Sequence, residues 1–345
     1  MERRGPRWIV RARANDVVDL CHALQRWSHH HVIPQRSHTR RNQFRQRPRH
    51  RHFVVHPPFD SLGDYPRVFL VAVCNLFRYQ ALTAALRTAG LPVHWRFLDS
   101  GVLPGSEHMA IDAGLMDRAR ETGEVVLRVY AWAGPTLSFG RNELARDRFS
   151  PAALQHEGVS AVRRPTGGRV LLHDHEVTYS VTAPDSHAPT LAAGYLAVNR
   201  LLRRALTLLG VAVDVAPAGR TIRPTGAPCF AEPSAGELVV NGRKLVGSAQ
   251  LQERGALLQH GSILLADDQP RINSLSSIET PSVAPAATLS QALGRTPSYD
   301  QVRDALAAAL DDESLDVRAL DAASVGEYAG PHRAQFASAE WTWRR

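Results

Sequence analysis

Residues 163–180 read RRPTGGRVLLHDHEVTYS. Short apolar runs on either side of a Thr-Gly-Gly loop predict strands near 160–164, 169–172 and 176–182, the first two joined by that loop. The glycine spacing fits neither a phosphate-binding P-loop nor a dinucleotide fingerprint. Two adjacent glycines let a backbone pass close to a ligand, and Arg163, Arg164, Arg169 and His173 offer donors to a phosphate or a carbonyl. Taken alone, such a pair more often marks a tight turn.

Towards the N-terminus, VVLRVYAW at 125–132 reads as a strand, with PTLSFGR its neighbour after a Gly-Pro break. Before it, SEHMAIDAGLMDRAR predicts a helix that opens on a capping-type Ser106 and places Met109, Ala113, Met116 and Ala119 on one face. Towards the C-terminus, residues 190–210, TLAAGYLAVNRLLRRALTLLG, form the strongest helical pattern. Leu191, Tyr195, Val198, Leu202, Leu206 and Leu209 recur every three or four residues, and Gly210 supplies the stop. A strand, VAVDV, precedes the long Pro/Gly-rich loop APAGRTIRPTGAPCFAEPSAG, a type of segment more often functional or disordered than merely connecting. ELVV and RKLVGSAQ then flank Asn241-Gly242, a dipeptide suited to a tight hairpin, and GALLQHGSILL returns as another sheet strand. Residues 286–312 read as mainly helical. No internal repeat is visible, and the pattern is that of a mixed sheet covered by helices in one domain of about 250 residues.

The formal charge of +8 suggests a nucleic-acid partner until it is located along the chain. Residues 1–60 carry 13 Arg against four acids, which leaves 28 basic and 29 acidic residues in the remainder. The body of the protein is therefore nearly neutral. Arg36 to His52 holds seven Arg and three His with no acid, a composition that cannot offset the entropy of ordering. Residues 1–92 are read as an arginine-rich, solvated, disordered extension or an upstream stretch from a misplaced start site, and the folded domain as residues 93–345. The alternative is a basic arm for nucleic acid or an anionic membrane. The apolar run VFLVAVCNLF at 68–77 is about half a membrane span and lies too far in for a secretory signal. Cys21, Cys74 and Cys229 show no CxxC spacing and cannot all pair, so a reduced cytoplasmic protein is the simplest reading.

Lys244 is the only lysine; the other 40 basic residues are arginine. Guanidinium stays protonated at any working pH, whereas an ammonium can release its proton when desolvated or placed beside another cation, so a sole lysine is a candidate proton carrier. Cys229 lies 15 residues earlier, within possible reach across one loop and one hairpin strand. A lone cysteine is usually a small buried hydrophobe, and a nucleophilic one needs a nearby cation or base. After Lys244, the small residues Gly247, Ser248 and Ala249 leave room on one side of a strand, as does Gly261 on the next. His260 is a possible acid or base, though a histidine at a strand end is more often structural. No paired His/Cys cluster has metal-ligand spacing, and no metal or other cofactor is expected.

Together, EHMAID at 107–112, RRPTGGRVLLHDHEVTYS, PCFAEPS at 228–234, GRKLVGSAQ and LQHGSILL resemble the biotin/lipoate protein ligase and lipoyltransferase family over about Trp95 to the C-terminal AEWTWRR. In this order and combination they are highly specific. The fold the resemblance implies is α+β, a mixed, largely antiparallel sheet flanked by helices. Within the family the sequence looks most like the cysteine-dependent octanoyltransferases, because Arg169 stands where the ATP-using ligases tend to show a third glycine and residues 266–345 look like a short helical tail. Departures are Gly236, where a tyrosine is common, and Ala113, where an acid is common; both bear on substrate preference.

By this resemblance Cys229 matches the acyl-accepting cysteine and Lys244 the catalytic lysine, while Arg163, Arg164, Gly167, Gly168 and His173 match the loop lining the acyl and carrier-arm pocket. Gly247, Ser248, Ala249 and His260 are added as substrate-binding candidates. The implied reaction moves an octanoyl group from acyl carrier protein, through a Cys229 thioester, to a lysine of a lipoyl-accepting domain or glycine-cleavage H protein. Alternatives are an ATP-dependent lipoate-protein ligase, an octanoyl amidotransferase drawing on H protein, and a non-catalytic binding protein. No nucleic-acid or membrane partner is expected.

Overall fold

The computed structural model describes residues 94–188, 190–216, 236–278, 285–310 and 316–345. Its centre is a six-stranded sheet in the order β10-β11-β6-β2-β1-β12. These strands are β1 (His94–Leu103), β2 (Val125–Trp132), β6 (Glu176–Pro184), β10 (Val246–Glu253), β11 (Ala256–Leu264) and β12 (Asp316–Ala319). From β10 through β2 all neighbours are antiparallel, whereas β1 is parallel to both β2 and β12. The sheet is therefore mixed and mostly antiparallel, flanked by helices.

Both faces of β2 and β6 are covered: β2 reads as a near-continuous apolar run interrupted by Arg128, whereas β6 alternates apolar residues with the buried polar Glu176, Thr178, Ser180 and Thr182. Leu127, Val129, Val177, Tyr179 and Val181 pack under helices α3 (Leu191–Leu208) and α6 (Tyr299–Leu310). On α3, Val198, Leu202 and Leu206 are buried, and each such side chain contributes about 1.5–3 kcal/mol. Leu191, expected on that face, is 44% exposed because it occupies the first turn. The opposite face, with Val126 and Tyr130, packs on α1 (Gly105–Thr122) and α7 (Ala322–Ala337). There Gly114 brings α1 so near α7 that a Cβ would fall 2.5 Å from the Tyr328 carbonyl.

A smaller sheet, β4-β3-β5, stands beside this face: β3 (Thr136–Phe139) runs parallel to β4 (Ser160–Arg163) and antiparallel to β5 (Leu171–His173). The short helices α2 (Pro151–His156), α4 (Arg271–Leu275), α5 (Leu289–Leu293) and α8 (Ala339–Thr342) fill its flanks and the connections. A third sheet holds β7 (Asp214–Val215), β8 (Leu238–Val240) and β9 (Arg243–Lys244).

Four sequence expectations are corrected. α1 opens on Pro104, not on Ser106, and no side chain caps it. PTLSFGR does not pair with VVLRVYAW but belongs to the smaller sheet. RKLVGSAQ is not one strand: Arg243 and Lys244 pair with β8, then at Leu245 the chain crosses into the central sheet as β10. VAVDV contributes only Asp214 and Val215. Among the described residues no helix is long and apolar enough to cross a membrane.

Candidate active site

The pocket lies where the central sheet, α1 and the Thr-Gly-Gly loop meet. Its walls include Met109, Tyr130, Trp132, Leu171 and Thr178, together with Arg164, His173, Gly247, Ser248, Ala249 and His260. The first group is largely apolar and comes from α1, β2, β5 and β6; the second holds the residues singled out from sequence.

Two carboxylate–imidazole–hydroxyl chains brace this pocket. His260 Nδ1 donates to Asp112 Oδ2 at 2.9 Å, and its Nε2 faces Thr166 Oγ1 at 2.7 Å. His173 Nδ1 donates to Glu176 Oε1 at 2.5 Å, and its Nε2 faces Ser138 Oγ at 2.6 Å. Because Ser138 Oγ also accepts from Arg164, its own proton is directed at His173. Although the order resembles a hydrolytic triad, Ser138 and Thr166 are 0% exposed, so neither hydroxyl can meet a substrate. The chains are anchors: they fasten the smaller sheet and the glycine loop to the central sheet. His260 lies in the middle of β11 rather than at a strand end, with both ring nitrogens engaged.

Under His260 the charges are buried and paired. Arg128, fully buried, donates from Nη1 to Asp112 at 2.8 Å and from Nη2 to His108 Nδ1 at 2.7 Å. Burial alone would raise the Asp112 pKa, but the Arg128 charge, the His260 hydrogen bond and Ser180 outweigh it and hold it at about 2. Burial, reinforced by Arg128, pushes His108 down to about 3, and burial also lowers His260 against the pull of Asp112. Both imidazoles are thus neutral at pH 7. Arg128 was visible in the sequence as a lone charge inside VVLRVYAW, and Asp112 as a lone acid on an apolar helix face. Neither stands out as a site residue in the sequence, because a lone charge does not announce its partner.

Arg164 and Arg163 have different tasks. Arg164 donates to Ser138 O, Gly167 O and Arg169 O, so it shapes the loop from inside and lines the pocket. Arg163 lies outside the lining; it donates to the carbonyls of Gly140, Glu143 and Thr342 and ties β4 to the C-terminal segment. Gly167 and Gly168 shape the loop without forming the wall. Gly168 has φ +98°, where side chains are strained, and a Cβ at Gly140 would lie 1.9 Å from the Gly168 oxygen.

Lys244 ends β9, 4% exposed, with Nζ 2.7 Å from Glu237 Oε1. It is not in the lining, but β10 begins two residues later and carries Gly247, Ser248 and Ala249 into it. Behind these, on the α3 face, Tyr179 bonds to Ser248 at 2.7 Å, and Gln259 bonds to both Tyr179 and Asn199. Burial raises Tyr179 to about 12, so it remains a phenol. Cys229, like Cys21 and Cys74, lies outside the described residues. Among those described, Asp174, His175 and Asp268 bring ligand atoms within 4.8 Å of one another, but Asp268 already accepts from the His175 N–H and from Gln269.

The family model described as the lipoyl protein ligase A/B catalytic domain matches residues 104–311. Octanoyltransferase LipM of Geobacillus kaustophilus is 34% identical over 277 residues, covering 73% of this chain and 98% of that protein. Octanoyltransferase LipM of Kyrpidia tusciae is 39% identical over 241 residues, covering 67% and 81%. In fold the chain is similar to a lipoate-protein ligase A bound with ATP, with TM-score 0.58 at 18% identity over 73% of this chain and 99% of that one. It is also similar to a bipartite lipoate protein ligase of Thermoplasma acidophilum, with TM-score 0.57 at 18% identity over 73% and 96%.

Proposed function

The chain belongs to the lipoyl protein ligase A/B catalytic domain family, and from that premise we propose that it is an octanoyltransferase of protein lipoylation. Its catalytic unit is residues 93–345, its donor octanoyl-acyl carrier protein, and its acceptor a lysine of a lipoyl domain or glycine-cleavage H protein. The Cys229 thiolate attacks the donor thioester, the carrier thiol leaves, and the octanoyl group rests on Cys229. The acceptor amine then attacks this thioester; the amide forms, the cysteine thiol is released, and Lys244 relays the amine's proton. Neither step calls for a nucleotide, and donor and acceptor are soluble proteins, so a cytoplasmic setting goes with this reading.

The observation that carries it is the position of Lys244. The chain's sole lysine is buried, held by Glu237, and leads directly into the strand that forms one end of the pocket. Arg164 lines the same pocket, while Met109, Tyr130 and Trp132 offer apolar wall where each buried CH₂ of an acyl tail contributes about 0.8 kcal/mol.

Incubation with octanoyl-acyl carrier protein and no ATP, followed by intact-mass measurement, tests the reading. One octanoyl group, released by thiols and mapped to Cys229, is expected. It should persist when Cys21 and Cys74 are both replaced. An adduct that forms only with ATP and free octanoate or lipoate would replace the transferase by a ligase, and loading from octanoyl-H protein alone would make it an amidotransferase.

A further inference from the structure

Lys244 is buried, yet a relay must hold a proton that burial disfavours, because taking an ammonium out of water penalises its charged form. Glu237 opposes that penalty. Lys244 Nζ donates to Glu237 Oε1 at 2.7 Å, and both side chains of this ion pair are almost wholly enclosed. Arg243, the other cation of β9, is engaged elsewhere, with Gln291 at 2.9 Å. Tyr195 of α3 and Tyr179 of β6 also lie near the Glu237 carboxylate, and burial, with this negative charge added, raises both phenols. Neither carries charge at pH 7.

The carboxylate stands on a fixed base. Gly236 N–H donates to Ala216 O at 3.0 Å and Ala216 N–H returns to Glu237 O at 2.8 Å, which clips this backbone to the residue after β7. Asn199, buried on α3, donates from Nδ2 to Gly236 O at 2.7 Å and accepts from Gln259 at 3.2 Å. Gln259 also donates to Tyr179 at 3.0 Å, and Tyr179 bonds to Ser248 at 2.7 Å. A chain of hydrogen bonds thus runs from the residue before Glu237 to β10, the strand that lines the pocket. The ion pair and the pocket share one frame.

We propose that Glu237 is a positioning residue for the transfer, acting through Lys244: it keeps the buried lysine protonated and in a fixed place beside β10. The assignment rests on the octanoyl-transfer reading and adds a residue to it. When the acceptor amine attacks the Cys229 thioester, the carbon–nitrogen bond forms and the carbon–sulfur bond breaks. The Lys244 ammonium gives its proton to the departing sulfur and recovers one from the new amide nitrogen, so it ends as it began. A lysine already stripped of its proton cannot start that cycle. A carboxylate within hydrogen-bond reach keeps the ammonium stable away from water, and Glu237 itself forms no bond to the reacting atoms.

Because Lys244 is the only lysine, full-length protein grown with carbon-13-labelled lysine gives a single side-chain NMR signal that follows the Nζ proton. Titrated from pH 6.5 to 10, Glu237→Gln should lose that proton at a pH lower than wild type by about one unit or more. Glu237→Asp, which keeps the charge but withdraws it by one bond, should shift less in the same direction, and it carries the comparison if Glu237→Gln does not fold. Transfer from octanoyl-loaded Glu237→Gln to the acceptor should fall by about tenfold or more at pH 7.5, and the gap to wild type should narrow as the pH is lowered to 6.5. A merely structural role would lower transfer alike at every pH. Should wild type transfer no acyl group, the octanoyl reading falls while the lysine titration still decides whether Glu237 holds the proton on Lys244. Equal midpoints in variant and wild type, or a loss of transfer independent of pH, overturns the proposal.

Discussion

Lys244 is the proposed proton relay, and its burial against Glu237 makes a substitution there informative. Lys244→Arg keeps the charge and can still reach the carboxylate, but guanidinium does not give up a proton near pH 7. If Lys244 relays a proton, transfer to the acceptor lysine should fall by at least about 10²-fold with an unchanged melting temperature. Rates within a few fold of wild type would remove the relay. Asp112 is the structural counterpart. Asp112→Asn leaves the fully buried Arg128 without its ion-pair partner, a loss of about 3–5 kcal/mol in urea unfolding. A double variant with Arg128→Met should regain part of it. The sole lysine could be picked out by counting, whereas Asp112 and Arg128, 16 positions apart, needed the α1–β2 packing to reveal them as a pair.

At the scale of elements, turns and close approaches position the site. Asn241 and Gly242 take φ of 51° and 73°, the paired positive values of a primed hairpin turn, and so fold β9 back on β8 to place Lys244 opposite Val239. That turn was legible in the sequence because its dihedral demand is written in the dipeptide. The crossing at Leu245 was not, since nothing in RKLVGSAQ tells a continuous strand from one that changes sheets. Gly140 tests the glycine loop. In Gly140→Ala the new methyl meets the Gly168 carbonyl, a backbone atom that cannot swing aside, so the loop must move. A loss of about 1–3 kcal/mol and a drop in transfer rate are expected from melting curves and activity together. Gly134→Ala, with open space around the added atom, serves as the control and should change neither.

For the whole molecule, the buried neutral histidines set the response to acid. Unfolded, His108 and His260 take up protons near their ordinary value of 6.5; folded, His108 does so only at about 3, and His260 is likewise depressed. Between these values the unfolded chain binds more protons, so stability rises with pH and is lost as pH falls below about 6.5. Asp112, held at about 2 against 3.8, adds a loss of the same sign at lower pH. Urea midpoints at pH 7.5, 6 and 5 should decline in that order, and His108→Gln should flatten part of the decline. A flat or rising series would contradict neutral burial. Removal of residues 1–90 should leave transfer within a few fold, whereas a nucleic-acid arm would be lost with them, along with any steep salt dependence of binding.

The sequence by itself determined the local elements and the chemistry available to them. The three-to-four-residue apolar recurrence made α3, the Asn-Gly pair made the hairpin, and apolar runs marked β2 and β6 as strands. Its ordered motifs also carried the resemblance to the family. What only the tertiary structure decided is which elements meet: β1 and β12, not picked out as strands, pair in parallel at the sheet edge. Likewise Asp112, Arg128, His260 and Thr166 converge from α1, β2, β11 and a loop. The physical reason is that periodicity records which face of an element must leave water, not which partner covers it. A buried charge or a pocket wall such as Trp132 acquires its meaning only from neighbours distant in the chain, such as Thr178, His173 and Gly105.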